Sequence, residues 1–279
     1  MSLTKKSVVV ITGAGSGIGR ALAVRLSKEP ISGIAISDVN QESLVETEKL
    51  IANTGPKITA HRVDVSKENE VSAYADTVKN EHGRVTHLIN NAGVALGGTV
   101  GEVSLDDIRW LMGVNFWGVV YGTKFFLPLM EKEDSAHIVN FSSIFGVIAP
   151  PGQATYCASK FAVRGFTEAL RHELEGSNIA VSVIHPGGVK TNIALTARIG
   201  EGVELTEEEI EEKRNKENRN LDRTTPDQAA EIIVRGIKAR NPRILIGWDA
   251  RLISIITRMF PRRYFSVLDL LSGGRLRSD

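Results

Sequence analysis

Tyr156 and Lys160 stand four residues apart in Tyr156-Cys157-Ala158-Ser159-Lys160, a spacing that sets a phenol and an ammonium side by side on one helix face. A phenol ordinarily titrates near ~10, too high for ready proton exchange at neutral pH. A neighbouring cation favours the phenolate and lowers that value, so the pair reads as a proton-transfer group with Tyr156 as acid/base and Lys160 as its activating charge. Alone, a Y-x-x-x-K pair is a common contact on a helix surface. Three other places add weight. The run His137-Ile138-Val139-Asn140-Phe141-Ser142-Ser143 ends in hydroxyls that can hydrogen-bond a substrate oxygen as charge develops on it. Asn90-Asn91-Ala92-Gly93 and Asn115, which opens an amphipathic stretch, supply amides and small residues at further segment ends. Each has a plain alternative as turn former or helix cap. Their coincidence at successive strand ends does not.

Thr12-Gly13-Ala14-Gly15-Ser16-Gly17-Ile18-Gly19 joins the first apolar run to the first amphipathic one. The spacing is T-G-x-x-x-G-x-G, not the G-x-G-x-x-G dinucleotide fingerprint, but the physics is shared. Glycines permit positive φ and remove Cβ atoms that would block a pyrophosphate, and amides at the helix N-terminus meet the negative charge. The alternative is a glycine-rich turn without a ligand. Asp38 closes the second apolar run, where a carboxylate accepts hydrogen bonds from an adenosine ribose and repels a 2′-phosphate; the alternative is a solvated turn aspartate. Ser16 and Val39 stand where a phosphate-binding Arg or Lys would be expected. The expected cofactor is NAD, with Arg20 and Arg62 keeping NADP open.

The elements that must position these groups alternate along the chain. Buried strands are expected over 7–12, 33–38, 58–63, 85–90, 137–141, 179–185 and 243–246. Helices are expected over 18–28, 41–53 and 68–81, around 105–112 and 116–132, and over 154–175. Val- and Ile-rich strands separated by helices imply parallel pairing with both sheet faces covered. The expected fold is α/β, a doubly wound parallel sheet of about seven strands, with its ligand crevice at the carboxyl ends of the strands. Thr225-Pro226-Asp227-Gln228 offers an N-cap, a first-turn proline and a capping-box Gln. Thr206 and Glu209 do the same for a charged helix over 206–216, in which Glu209–Lys213 and Glu212–Lys216 have favourable i,i+4 polarity.

With these features in place the chain resembles the short-chain dehydrogenase/reductase family. The matches are Thr12-Gly13-x-x-x-Gly17-x-Gly19, Asp64, Asn90-Asn91-Ala92-Gly93, Asn115, Ser143, Tyr156-x-x-x-Lys160, and Pro186-Gly187 with Thr191. They run in family order over roughly the first two-thirds of the sequence. The resemblance implies a Rossmann fold and a tetrad of Asn115, Ser143, Tyr156 and Lys160. Ser143 is preferred to Ser142 because it stands thirteen residues before Tyr156, as in the family pattern. By this analogy Tyr156 transfers the proton, Ser143 holds the substrate oxygen, Lys160 binds the nicotinamide ribose and Asn115 positions a water. The cofactor would be contacted by Gly13, Ser16, Gly17, Ile18, Gly19 and Asp38, by Asp64 and Val65 beside the adenine, and by Asn91, Ala92 and Gly93. Pro186, Gly187, Val189 and Thr191 would line the nicotinamide side, with Thr191 bonding the carboxamide or a phosphate.

After Thr191 the shared motifs end. Residues 192–223 are a candidate cover over the substrate or a solvated surface element. Val94 to Leu96, Phe145, Val147 and the Gly187-Gly188 turn are expected pocket walls, mostly apolar and without a carboxylate-binding arginine. The expected substrate is an uncharged, fairly apolar secondary alcohol or its ketone. We expect one domain over 1–247 followed by a basic amphipathic extension over 248–279, split by Pro261 into two short helices. The extension is expected to pack on its own domain or on another subunit, with a membrane surface as the alternative.

At 279 residues, 42% hydrophobic and 24% charged, the composition is that of an ordinary globular protein. A net charge of +1 without a basic block gives no nucleic-acid surface. The single cysteine, Cys157, makes no internal disulfide, and six histidines without an H-x-x-x-H cluster suggest no metal site; His172 and His185 are expected to be structural. Residues 1–6 lack signal-peptide architecture, so the expected address is the cytoplasm. Family analogy adds a homodimer or homotetramer. Two alternatives keep the fold: a catalytically silent NAD(H)-binding protein, and an epimerase or dehydratase that uses NAD transiently.

Overall fold

The computed structural model describes residues 3–220 and 224–272, apart from the side chains of 213 and 216–220. Seven parallel strands form the central sheet: β1 (Val8–Thr12), β2 (Gly33–Asp38), β3 (Lys57–Arg62), β4 (His87–Asn90), β6 (Ala136–Phe141), β7 (Ile179–Pro186) and β9 (Arg243–Ile246). Their spatial order is β3-β2-β1-β4-β6-β7-β9. The order reverses between β1 and β4, which opens a crevice at their carboxyl ends. This is the doubly wound, Rossmann-type sheet expected from the sequence.

Alternate residues of the buried strands feed two cores, as the period of a strand requires. Val9, Ile11, Ile34 and Ile36 face one layer, with α1 (Gly17–Leu26), α2 (Gln41–Ile51) and α8 (Pro226–Lys238). Val10, Ala35, Leu88 and Ile138 face the other, with α3 (Glu68–His82), α5 (Gly118–Met130) and α6 (Ala154–Glu173). A buried network carries β4 and β6 to α6: Asn90 Nδ2 donates to Asn140 Oδ1 at 2.9 Å, and Asn140 Nδ2 to Thr167 Oγ1 at 3.1 Å. The helix that holds Tyr156 and Lys160 is thus registered against β4 and β6.

Four features depart from the expected elements. Strand β4 starts two residues later than expected, at His87. The helix α4 (Leu105–Met112) does not end before the next one. A π-helical segment, Gly113–Trp117, runs it directly into α5, so Asn115 lies inside a continuous helical path and opens nothing. A short parallel pair, β5 (Leu96–Gly97) with β8 (Arg198–Ile199), and a 3₁₀ turn at Ile144–Gly146 had no expected counterpart.

Both capping boxes form. Thr225 accepts from Gln228 N at 3.2 Å while Gln228 accepts from Thr225 N at 3.0 Å, and Thr206 and Glu209 exchange the same bonds ahead of α7 (Glu207–Asn220). The ion pairs expected within α7 involve Lys213 and Lys216, which lie outside the described side chains. Beyond β9 come α9 (Trp248–Met259) and α10 (Tyr264–Leu271), the two short helices expected on either side of Pro261. Ala250, Ile256 and Leu268 pack there with Ile144 and Ile148.

Candidate active site

The ends of β1, β4 and β6 converge at the crevice. Thr12 Oγ1 accepts from the amides of Asn91 and Ala92 at 3.1 and 3.2 Å. In return Asn91 Nδ2 donates to the carbonyls of Thr12 and Gly13, both at 2.9 Å. Asn91 therefore pins the glycine loop to β4. Gly13 has a φ of +66°, and a Cβ there would lie 2.7 Å from Ala92 Cα. A Cβ on Gly19 would run into the Gly13 carbonyl. These two glycines are demanded first by the packing of the chain on itself, not by the clearance for a ligand that the sequence suggests. Gly17, at φ +52°, faces Thr191, whose Cγ2 would be 3.3 Å from a Cβ; this contact brings the glycine loop and the 186–191 turn together.

The cradle fits a dinucleotide phosphate. The N-cap residue Ser16 makes no side-chain capping bond, so no capping side chain occupies the first-turn amides of α1, the groups that meet anions. Ile18 packs half-buried on the core below. At the end of β2 the Asp38 carboxylate accepts from Gly15 N at 2.8 Å and Asn40 N at 3.0 Å. Arg20, a candidate for a 2′-phosphate, is committed elsewhere. Its Nε donates to Gly15 O at 2.9 Å and Thr47 Oγ1 at 3.0 Å, and its Nη2 pairs with Glu46 at 2.8 Å. Arg62, at the end of β3, is exposed. Asp64 Oδ1 accepts from Ser66 N and Oγ at 2.9 and 2.7 Å. Val65 turns its side chain into the core against Gly118, so only its backbone can face an adenine.

Across the cleft, α6 buries Tyr156, Ser159 and Lys160. The Tyr156 hydroxyl faces Ser143, which eases its ionisation, and its ring meets that of Phe145 edge-on at 5.9 Å. Ser142 points the other way and donates to Lys160 O at 2.8 Å. The geometry therefore separates the two serines that the sequence leaves adjacent. Lys160 Nζ lies 5.7 Å from the Tyr156 ring centre and donates to Phe141 O at 3.3 Å, which leaves further N–H groups for the cleft. A Cβ on Gly93 would be 3.2 Å from that Nζ and 3.3 Å from Asn115 Oδ1.

Asn115 is fully buried in the π-helical segment, a kind of irregularity frequent at functional sites. Its Oδ1 accepts from Val94 N at 2.8 Å, and its Nδ2 donates to Val94 O and Ser159 Oγ at 3.0 and 3.1 Å. Both amide hydrogens are spent on protein partners. The side chain clamps the 92–96 segment to α6, and any water it helps to hold must be met by another of its atoms.

One electrostatic expectation fails in the protein alone. Burial pushes the Tyr156 phenol up to about 12, with the Ser143 hydroxyl opposing, and lowers the Lys160 ammonium to about 8. Desolvation of both groups outweighs the attraction foreseen from i,i+4 spacing, so Lys160 does not by itself bring the phenol toward neutrality.

Pro186 ends β7, and Gly187 N donates to Ile246 O at 2.9 Å. Val189 bridges to Thr224. Gly188 N donates to Asp249 Oδ2 at 2.7 Å, which ties α9 to this turn. Sequence reasoning missed Asp249, which no local motif marks. His185, expected to be structural, is buried: its Nδ1 meets Ser143 O at 2.9 Å, and burial holds it neutral, its pKa lowered to about 4.

Above the site, β8 pairs with β5, Arg198 stacks on Trp110 at 3.7 Å and bonds buried Asp107 at 3.2 Å. Arg214 donates to Ala197 O at 2.7 Å. Residues 194–200 therefore lie on the 94–97 segment and α4, whose Val94, Ala95, Leu96 and Leu111 form an apolar cluster that also includes Tyr156 and Phe145. Val147 packs instead beneath α9 and α10. Among the described residues no group of His, Cys, Asp and Glu side chains is arranged to hold a metal ion.

A family model described as short chain dehydrogenase matches residues 7–202. SadH of Mycobacterium tuberculosis strain H37Rv, an oxidoreductase by name, is 42% identical over 266 residues, 95% of this chain and 94% of its own. A Xenopus laevis protein named dehydrogenase/reductase SDR family member 7B is 31% identical across 98% of this chain and 84% of its own. The crystal structure of a short chain dehydrogenase/reductase from Burkholderia phymatum in complex with NAD superposes with a TM-score of 0.81 at 32% identity, over 93% of this chain and 95% of that one.

Proposed function

This chain belongs to the short-chain dehydrogenase/reductase family and is an NAD(P)-dependent oxidoreductase, and from that premise we propose that it interconverts an uncharged, fairly apolar secondary alcohol and its ketone with NAD as cofactor. The observation that carries the reading is the buried pair of Tyr156 and Lys160, with Nζ 5.7 Å from the ring, set beside half-buried Ser143 and beside Gly93, against an apolar wall.

The nicotinamide ring, when bound, supplies or accepts the hydride. The chain's own residues do the rest. Ser143 donates to the substrate oxygen and holds it within reach of Tyr156. In reduction the Tyr156 hydroxyl gives that oxygen its proton; in oxidation the phenolate takes it back. Lys160 holds the nicotinamide ribose through its remaining N–H groups. Its charge supports the phenolate once a second cation shares the site. Asn115 fixes the wall through Val94 and Ser159. Gly13, Ser16, Gly17, Ile18 and Gly19 hold the pyrophosphate, Asp38 the adenosine ribose, and Asp64 with the Val65 backbone the adenine. Asn91 to Gly93, Pro186, Gly187, Val189 and Thr191 flank the nicotinamide half.

NAD is preferred because Asp38 presents a carboxylate to the ribose and Arg20 is already engaged. An uncharged substrate suits the wall: Arg198, which lies opposite Leu96, is already paired with Asp107 and stacked on Trp110. Residues 192–223 act as the cover. A cytoplasmic address and a homodimer or homotetramer complete the reading.

A paired NAD/NADP titration, followed by substrate profiling of the wild type and Tyr156→Phe, tests it. A charged hydroxy acid with the highest kcat/KM would overturn the substrate class. Tight dinucleotide binding without turnover on a broad alcohol and carbonyl panel would hand the site to a silent redox-responsive binder.

A further inference from the structure

An amphipathic helix needs one apolar stripe to hold itself on a domain; α9 carries two. Its inner stripe, Ala250, Ile253 and Ile256, packs with Ile144, Ile148 and Leu268. Its outer stripe, Trp248, Leu252, Ile255 and Met259, runs at i, i+4, i+7 and i+11 and is 64, 42, 55 and 67% exposed. Phe260, Leu270 and Leu271 continue the outward surface. So large an apolar surface on one side of a domain marks an interaction site.

Beside this stripe, against the edge strand β9, lies a groove of about 440 Å³ lined by Arg243, Leu245, Arg251, Ser254, Ile255 and Arg258. Three guanidinium groups share it with apolar side chains, and Arg243 Nε is buried without a hydrogen-bond partner. The carboxylate that faces Arg243, that of Glu168, already bonds Arg164 at 3.0 Å. Among the described residues Arg251, Arg258, Arg262 and Arg263 enter no ion pair, and Asp249 in the first turn of α9 is turned inward onto Gly188. The outward face therefore combines bulky apolar groups with arginines that enter no ion pair among the described residues.

A second copy does not suit it. A two-fold contact presents the same patch from both sides, so a second copy would bring another arginine-rich face and no excess of carboxylates to meet this one. An anionic bilayer suits both halves of the surface. Aromatic and aliphatic groups enter the acyl boundary while flanking arginines stay at the phosphates. We propose that the β9–α9 face seats the protein on an anionic phospholipid surface, with the Arg243–Arg251–Arg258 groove taking a lipid phosphate.

The test is co-sedimentation of the full chain with vesicles of phosphatidylcholine alone or mixed with phosphatidylglycerol. It reads partitioning and not turnover, so its outcome is independent of the reaction proposed above. The wild type should pellet with the anionic vesicles and stay in solution with the neutral ones. Arg243→Gln/Arg251→Gln/Arg258→Gln should weaken binding roughly a hundredfold, and Leu252→Ser/Ile255→Ser/Met259→Ser should abolish it. An unchanged Tm and unchanged NADH binding would show that both variants remain folded. If either does not fold, the single changes Arg258→Gln and Met259→Ser should each weaken binding by about fivefold. A wild type that ignores anionic vesicles overturns the proposal, as does binding that survives both sets of substitutions. A fall in mass by light scattering for the stripe variant, with no vesicle binding by the wild type, would assign the face to a second copy.

Discussion

The glycine loop and the segment proposed as a cover each flank the candidate site, but they are built differently. Residues 12–19 are held by backbone: glycines that tolerate positive φ or close approach, and the carbonyls that Asn91 grips. Residues 192–214 hang on one two-residue strand pair and on long side chains: β8 lies on β5, Arg198 reaches Asp107 and Trp110, and Arg214 folds back onto Ala197 O. Backbone-built sites tolerate little and recognise the invariant part of a ligand. Side-chain-built ones can be re-cut one residue at a time, which suits the part that varies between substrates.

Substitutions can break that contrast, the strongest first. Tyr156→Phe, at the meeting point of the two regions, should cut kcat by two to four powers of ten, as expected for loss of a general acid/base, while the NADH dissociation constant measured by fluorescence stays within a few-fold. On the backbone-built side, Asp38→Ala should weaken NAD binding by roughly ten- to a hundredfold, the worth of charged hydrogen bonds to the ribose, and NADP should lose much less. Isothermal titration of both cofactors checks this; equal losses would remove Asp38 from the ribose. On the side-chain-built side, Arg198→Ala should raise KM by about tenfold with kcat and NAD affinity nearly unchanged. A kcat collapse there would mean that the cover takes part in the chemistry.

The smallest effect concerns pH. His185 is buried with its pKa lowered to about 4, so the unfolded chain binds its proton first as the pH falls. The stability tied to its neutral form is complete above the unfolded value near ~6.5 and is lost on acidification toward the folded value. In His185→Asn the acid slope of unfolding free energy from urea titrations should flatten by about 1 kcal/mol per pH unit in that window. No change of slope would mean that another group carries the acid sensitivity.

Much of the site was legible in the sequence because its logic is local. Tyr156 and Lys160 share a helix face by spacing alone. The glycine loop announces itself by composition, and the strand ends by the switch from Val and Ile to Asn, Ser and Gly. What escaped depends on distance or on burial. The pairing of Leu96–Gly97 with Arg198–Ile199 joins segments about a hundred residues apart through two residues each, too short for any periodicity. The π-helical segment shifts hydrogen bonds by one residue and leaves the apolar pattern around Asn115 intact. The raised Tyr156 pKa comes from how much protein surrounds the phenol, and spacing along a helix carries no record of that. Asp249 is an ordinary first-turn acid until the fold sets it against Gly188.

That last contact joins the chain's late helices to the turn that ends β7. Asp249 Oδ2 holds the Gly188 amide at 2.7 Å, and a Cβ on Gly187 would strike the same carboxylate, so the turn has no slack on that side. A shove on α9 is handed on to the β7 turn like motion through a gear tooth. Cutting the chain before residue 248 would thus remove more than an appendage: the turn proposed to flank the nicotinamide half would lose its backstop.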